Sequence, residues 1–344
     1  MKKLKAVQIG ILFLGILLVL SLAAGLLISD RISNSVLGEY FYETKEEALF
    51  HLMVIVDEQN LAYGEDFVRG LEEASQEGKV AIEFLRLSSS DYSGHLIDAL
   101  DKAMYAKVDG VIMHAFFDEA LAQKVNELAE KEIPVITMNE DLARSQRISY
   151  VGINRYHIGQ AAGIELAKAM NGVGKIAVIE QKNYATDTEG REDMLLLGIM
   201  DVIKAYPELS LEFIRYTEQG VLSAETVATK IFRENEEING IFCTELQNTL
   251  GVVQVLIDNN LVNQVSLVGV GEDEEILSYI NKGKIIDASI VLDYEDIGRK
   301  AIETFLEFKQ FYFVPSYTNT ELQVVNEGNI ESYLDKVGDE NGED

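Results

Sequence analysis

Short apolar strands alternate with amphipathic helices along most of this chain, and that alternation leaves few folds open. "LMVIVDE" (52–58), "VAIEFLRL" (80–87), "GVIMH" (110–114) and "PVITM" (134–138) read as strands. Between them, Phe67, Gly70, Leu71 and Ala74, then Leu96, Ile97, Leu100, Ala103 and Met104, then Leu121, Val125 and Leu128 recur at helical spacing. After Arg147 the order restarts with "ISYVG" and a helix from about Tyr156 to Met170. "KIAVIE" (175–180), a helix near 191–205, "LEFIRY" (211–216), a helix near 223–235 and "GIFCTE" (240–245) follow. "QVSLVGVG" (264–271) and "DASIVL" (287–292) complete the strands. Strands that are apolar along their length belong to parallel sheets covered by helices on both faces. The restart near 150 predicts two such α/β lobes of similar size.

The strands are dry along their length and polar where they finish. "IPVITMNED" (133–141) ends in Asn139, Glu140 and Asp141, "VIMH" in His114, and "FCTE" in Glu245. "IVDEQN" ends in Asp57, Glu58, Gln59 and Asn60. Open parallel sheets bind ligands beyond the carboxyl ends of their strands. The repeated pattern therefore predicts two lobes whose polar strand ends face one another across a cleft.

The amino terminus carries a second signal. Lys2, Lys3 and Lys5 precede an uncharged run from Ala6 to Ile28. A helix over that run, at about 1.5 Å per residue, is long enough for a hydrocarbon core of about 30 Å. The basic flank predicts a cytoplasmic segment 1–5, a single-pass anchor over 6–28 and an extracytoplasmic remainder at the cell membrane. A cleavable signal peptide is the alternative, since "SLAA" offers small residues for cleavage. The apolar stretch continuing through Leu26, Leu27 and Ile28 favours retention. "LAAG" has glycine where a lipoprotein would need its cysteine, which excludes lipidation there.

Charge and motifs narrow the function classes. Lys plus Arg number 29 against 58 acidic residues, a formal charge of −29, which repels nucleic acid. His51, His95, His114 and His157 show no metal-binding spacing, and no metal or cofactor is expected. There is no G-x-S-x-G elbow and no P-loop, and "GVGEDE" (269–274) lacks the third glycine of a dinucleotide fingerprint. An enzyme is not expected. Cys243, the single cysteine, sits in "NGIFCTE" and reads as a small core residue.

These residues resemble a family: type I periplasmic binding proteins of the ribose and xylose kind, which share their fold with the ligand domains of LacI-type repressors. "DGVIMHAFFDEALAQKVNELAEKEIPVITMNED", "RISYVGINRYHIGQAAGIELAKAM", "INGIFCTELQNTLGVVQVL", "SLVGVGEDEEILSYINKGKIIDASIV" with "DIGRKAIE", and "LQVVNEGNI" resemble its segments in order and spacing. The resemblance runs from about Leu52 to Leu334. It implies two Rossmann-like lobes with parallel sheets, joined by a three-strand hinge and closing around a small molecule. On that pattern, 29–46 is a stalk and 47–334 the solute-binding domain. Lobe 1 takes about 47–152 plus 293–312, and lobe 2 takes about 153–292 plus the last strand. The acidic tail 335–344 is expected to be disordered. A repressor is excluded, because the predicted span occupies the place of a DNA-binding headpiece.

The resemblance also implies binding positions. Tyr63 falls where the family stacks an aromatic ring on a sugar face, and His114 on a polar hydrogen-bonding position. Asn139 and Glu140 fall where many members carry an Asp-Arg pair. Arg191 lies near the sugar-binding arginine, with Asp193 as the alternative occupant, and Glu245 near a familiar Asn or Asp. Gly271 stands where Asp is usual, with Glu272 next to it, and Leu292 where glutamine is common. The expected ligand is a small polar molecule of carbohydrate type, with an amine or other cation as the alternative because carboxylates replace neutral or basic groups. The expected partner is an ABC permease or a membrane sensor histidine kinase. A surface scaffold that kept the fold and lost its ligand is the remaining reading.

Overall fold

The computed structural model describes residues 38–42, 48–58, 64–87, 92–116, 118–138, 141–181, 193–218, 220–234 and 237–340. The run 6–28 and most of the expected stalk lie outside them. Among the described residues, no helix is long and apolar enough to cross a membrane. The chain forms two compact α/β units. The first takes the residues through Met138, with Leu142–Ser149 and Ala301–Val314; the second takes Tyr150–Lys300 and the residues from Pro315. The sequence reading places all of 293–312 in the first lobe, whereas Tyr294–Lys300 belong to the second unit.

In the first unit the strands β1 (Gly38–Tyr42), β2 (Phe50–Asp57), β3 (Val80–Leu87), β4 (Gly110–His114) and β5 (Val135–Met138) lie in the order β1-β3-β2-β4-β5. β2, β3, β4 and β5 pair in parallel, and β1 is antiparallel to β3. β1 falls within the stretch read as an irregular stalk. Its pairing to an otherwise open sheet edge supplies order that its own sequence does not advertise. The intervening helices are α1 (Glu65–Gly78), α2 (Tyr92–Ala106) and α3 (Glu119–Glu130). Asp118 starts α3 by accepting a hydrogen bond from the Leu121 backbone N–H at 2.9 Å. Met53 and Ile55 pack with Leu96, Leu100, Val125 and Leu128 on one sheet face. Leu52, Val54 and Phe84 are buried on the other, where Phe67 of α1 meets Phe84 at 6.5 Å between ring centres. Burying each such side chain contributes about 1.5–3 kcal/mol.

β6 (Ser149–Gly152), which enters the second unit at Tyr150, pairs in parallel with β12 (Tyr317–Asn319), and the second unit also holds a six-stranded sheet. That sheet is ordered β13-β11-β10-β9-β7-β8, built from β7 (Val173–Gln181), β8 (Glu208–Thr217), β9 (Ile238–Cys243), β10 (Ser266–Val270), β11 (Ala288–Leu292) and β13 (Leu322–Asn326). All its pairs are parallel except β11 with β13. Its helices are α4 (Arg155–Ala169), α5 (Met194–Ile203), α6 (Val221–Glu234), α7 (Leu246–Asp258) and the short α8 (Glu274–Ser278). A π-helical turn over Tyr279–Gly283, α9 (Tyr294–Phe311) and α10 (Ile330–Glu340) complete the chain's described helices. Successive residues of β7 divide between two cores: Ile176 and Val178 pack with Leu166 and Ile199, and Ala177 and Ile179 with Val252 and Leu256. Cys243 is fully buried in the second of these cores, and burial pushes its thiol well above the ordinary range. α10 continues the chain as helix through Glu340, so the first part of the tail expected to be disordered is folded.

α4 and α5 pack in parallel at backbone contact. A Cβ at Gly159 would lie 1.9 Å from the Leu195 carbonyl oxygen, and one at Gly198 would lie 2.1 Å from that of Tyr156. Only glycine permits this approach. It sets the amino ends of the two helices side by side, next to the carboxyl ends of the strands.

Candidate functional site

In the first unit, the carboxyl ends of β2 and β4 present Asp57 and His114, both largely buried. Tyr92 donates its hydroxyl to the His114 carbonyl at 2.9 Å and packs its ring 5.4 Å from the imidazole. Phe116 packs its ring 5.9 Å from that of Tyr92. Burial lowers the His114 pKa to about 4, against an opposing pull from the Asp57 charge. The imidazole is therefore neutral at physiological pH, with one nitrogen able to donate and the other to accept. At the end of β5, Thr137 is fully buried and its Oγ1 has no hydrogen-bond partner among the described residues. Tyr63, Asn139, Glu140 and Arg191 lie outside the described residues.

The second unit builds a denser polar group at the ends of β7, β8 and β9. Glu245 stands immediately before α7, and its Oε2 accepts from the Thr244 hydroxyl at 2.6 Å, the Asn248 amide at 2.8 Å and the Gln181 backbone N–H at 3.0 Å. Asn248 is itself buried and accepts from the Thr217 hydroxyl at 2.9 Å. Three strand ends and one helix start are thus tied through a single carboxylate. Burial nevertheless dominates, and the Glu245 pKa rises to about 7; the Thr244 and Gln181 bonds pull it down, Glu180 pushes it up and Arg155 eases it down.

Beside it, Glu180 ends β7 buried and accepts from Arg155 at 2.6 Å. Arg155 opens α4, whose first turn is capped by Asn154 accepting from the Tyr156 backbone N–H at 3.0 Å. Asp193 caps α5 through the Leu195 and Leu196 backbone N–H groups at 3.0 and 3.4 Å, and lies 4.0 Å from Arg155. Burial and the charges of Glu180 and Asp193 hold the Tyr216 hydroxyl in its protonated form. Burial, then Glu245 and Glu272, do the same for Tyr294. Glu272 is exposed and accepts a hydrogen bond from the Tyr333 hydroxyl.

The structure therefore brings Asp193 and Glu245 into one neighbourhood with Arg155 and Glu180, which the sequence reading did not single out. Glu180 carried a usable signal: it is an acid closing a dry strand, like Glu245. Arg155 carried none, since its partner lies 25 positions away. Gly271 has φ +122°, and a Cβ there would lie 2.8 Å from Leu246 Cδ1. An aspartate here, as the resemblance implies, would meet both a left-handed backbone and the Leu246 side chain. Among the described residues, no group of His, Cys, Asp or Glu is arranged to hold a metal ion.

Parallel α/β units that set hydroxyls, amides and carboxylates at the carboxyl ends of their strands define an α/β binding protein. The model of the periplasmic binding protein domain matches residues 52–310, and the chain belongs to that family. GanP, a glucose-galactose binding protein from Geobacillus stearothermophilus, is 26% identical with a TM-score of 0.72, covering 83% of this chain and 99% of that chain. The XylFII-LytSN complex gives 25% identity and a TM-score of 0.68, covering 81% of this chain and 99% of that one. A carbohydrate transporter solute binding protein from Agrobacterium Radiobacter, in complex with D-arabinose, shares the fold at 22% identity and a TM-score of 0.73, covering 85% and 99%. No curated protein matches the chain.

Proposed function

We propose that the chain is an extracytoplasmic carbohydrate-binding protein, tethered to the cell membrane by residues 6–28, and not an enzyme. The observation that carries the carbohydrate reading is the polar group of Glu245, Glu180, Arg155 and Asp193 at the carboxyl ends of the second sheet, in a chain similar to a glucose-galactose binding protein. Carboxylates and a guanidinium accept from and donate to sugar hydroxyls with charge-assisted hydrogen bonds. His114 and Thr137, whose hydroxyl has no hydrogen-bond partner among the described residues, supply neutral groups in the first unit. Tyr63, Asn139, Glu140 and Arg191 complete the ligand set in this proposal. Solute binding shifts the chain between two arrangements only by the difference in its affinity for them.

The bound form is read either by an ABC permease or by a membrane sensor kinase. A retained anchor favours the sensor, because signalling needs proximity and not shuttling, and the XylFII-LytSN complex supports a protein partner for this fold. A second reading, a cationic or amine solute, is favoured by three carboxylates, Glu180, Asp193 and Glu245, gathered near the guanidinium of Arg155. Titration calorimetry of the purified chain with pentoses, hexoses and amino-polyols tests both. Heat with neutral sugars supports the first reading, heat with amino-polyols alone supports the second, and silence with all of them overturns the carbohydrate assignment.

A further inference from the structure

The first unit exposes a set of large apolar side chains at the end opposite to His114 and Asp57. Phe311, Tyr312 and Phe313, at and just beyond the last residue of α9, are 62%, 80% and 74% exposed. Tyr105, in the last turn of α2, is 87% exposed, and Leu49, just before β2, is 68% exposed. Their neighbours place them at the amino edge of the sheet. Lys309 sits 5.8 Å from the Phe50 ring centre, at the start of β2, and 3.9 Å from Asp109, which precedes β4. Leu49 hydrogen-bonds through its backbone N–H to Lys79, which precedes β3. Lys79 and Lys107 are exposed, each in a left-handed turn that closes a helix at this same edge.

Isolated exposed apolar residues need no explanation, but five on one edge do. We propose that this aromatic and lysine face rests on the lipid surface to which the chain is anchored; the inference depends on the tether proposed above. Tyrosine and phenylalanine rings interleaved with lysine stems suit the boundary between headgroups and acyl chains. The tether makes lipid the favoured occupant over a freely diffusing protein. β1 pairs Gly38 with Arg86 and Tyr42 with Ile82, so the connection from the span meets the sheet near its carboxyl edge and must run back alongside β1 for the amino edge to reach the surface. Nine residues, 29–37, separate the span from β1 and reach at most about 30 Å when extended. Five residues of β1 cover about 17 Å of that height. The reach lets the amino edge settle on the surface, and the tether keeps the chain beside the lipid at an effective concentration on the order of millimolar.

The chain contains no tryptophan, so one introduced indole is an unambiguous reporter. The full chain carrying Phe313→Trp, or separately Tyr105→Trp, is reconstituted into phosphatidylcholine–phosphatidylglycerol vesicles with or without dibrominated acyl chains. Circular dichroism confirms that each variant folds as the parent does. Both reporters lose about half of their emission to the brominated lipid, whereas Ala120→Trp, exposed in the first turn of α3 at the opposite edge of the same unit, keeps its emission. Unquenched reporters on a chain that still floats with the vesicles overturn the docking and leave the anchor intact. A chain that fails to float overturns the anchor and the docking with it. Reporters shielded from aqueous iodide yet untouched by bromolipid show the face covered by protein, which also overturns the proposal.

Discussion

Glu245 shows how burial and hydrogen bonding compete over one carboxyl group. Three donors converge on one of its oxygens, yet its pKa stands at about 7 because desolvation outweighs them. The folded state therefore binds a proton that the unfolded chain releases near pH 4. Its contribution to stability is full below about pH 4, declines as pH rises and is gone above about 7. Glu245→Gln should flatten the fall in urea midpoint between pH 5 and 7.5 relative to the parent, by ~1–3 kcal/mol; parallel pH profiles would refute the assignment. His114 runs the other way. With its pKa lowered to about 4, it stabilises the fold fully above pH 6.5 and loses that contribution as the pH falls toward 4. Nitrogen-detected NMR should show a neutral His114 imidazole throughout pH 5.5–8, and a midpoint near 6.5 would contradict the burial described. Both residues were legible in the sequence because each closes an apolar strand. Arg155 was not, because a residue three positions past a short strand gives no hint that a buried glutamate 25 positions later will hold it.

At the level of elements, the contact of α4 with α5 places Arg155 and Asp193, the first residue of one helix and the cap of the other. Gly198→Ala sets a methyl against the Tyr156 carbonyl and should cost about 1–3 kcal/mol, read as a lower urea midpoint, with weaker solute binding as the helix starts part. An unchanged midpoint would show that the helices separate freely. Gly271→Asp restores the family's side chain onto a backbone at φ +122° and is expected to destabilise by about 1–3 kcal/mol without improving affinity. The strands and helices of both units follow the hydrophobic periodicity closely, since the same periods that bury a face define the element. β1 and the continuation of α10 through Glu340 escaped notice for the opposite reason. An edge strand is specified by the neighbour it pairs with, and although Ile330, Tyr333 and Leu334 recur at helical spacing, the acids from Asp335 onward hide where that helix stops.

For the molecule as a whole, the formal charge of −29 is the dominant long-range term. Self-repulsion destabilises the compact state and is screened by salt, so the melting temperature should rise by several degrees between 10 and 300 mM sodium chloride, in a ligand-free scan. A melting temperature indifferent to salt would mean that local ion pairs such as Arg155–Glu180 already absorb the field. Two-unit organisation was readable from the restart near residue 150, because each sheet repeats the strand–helix rhythm. The assignment of Tyr294–Lys300 to the second unit was not, since one continuous helical period carries no mark of where its contacts change. Finally, the seclusion of Cys243 has a practical side: its thiol is inaccessible and reluctant to ionise. A cysteine engineered onto the exterior would be the sole site for maleimide coupling, so an optical readout of solute uptake can be installed without first deleting any native sulfhydryl.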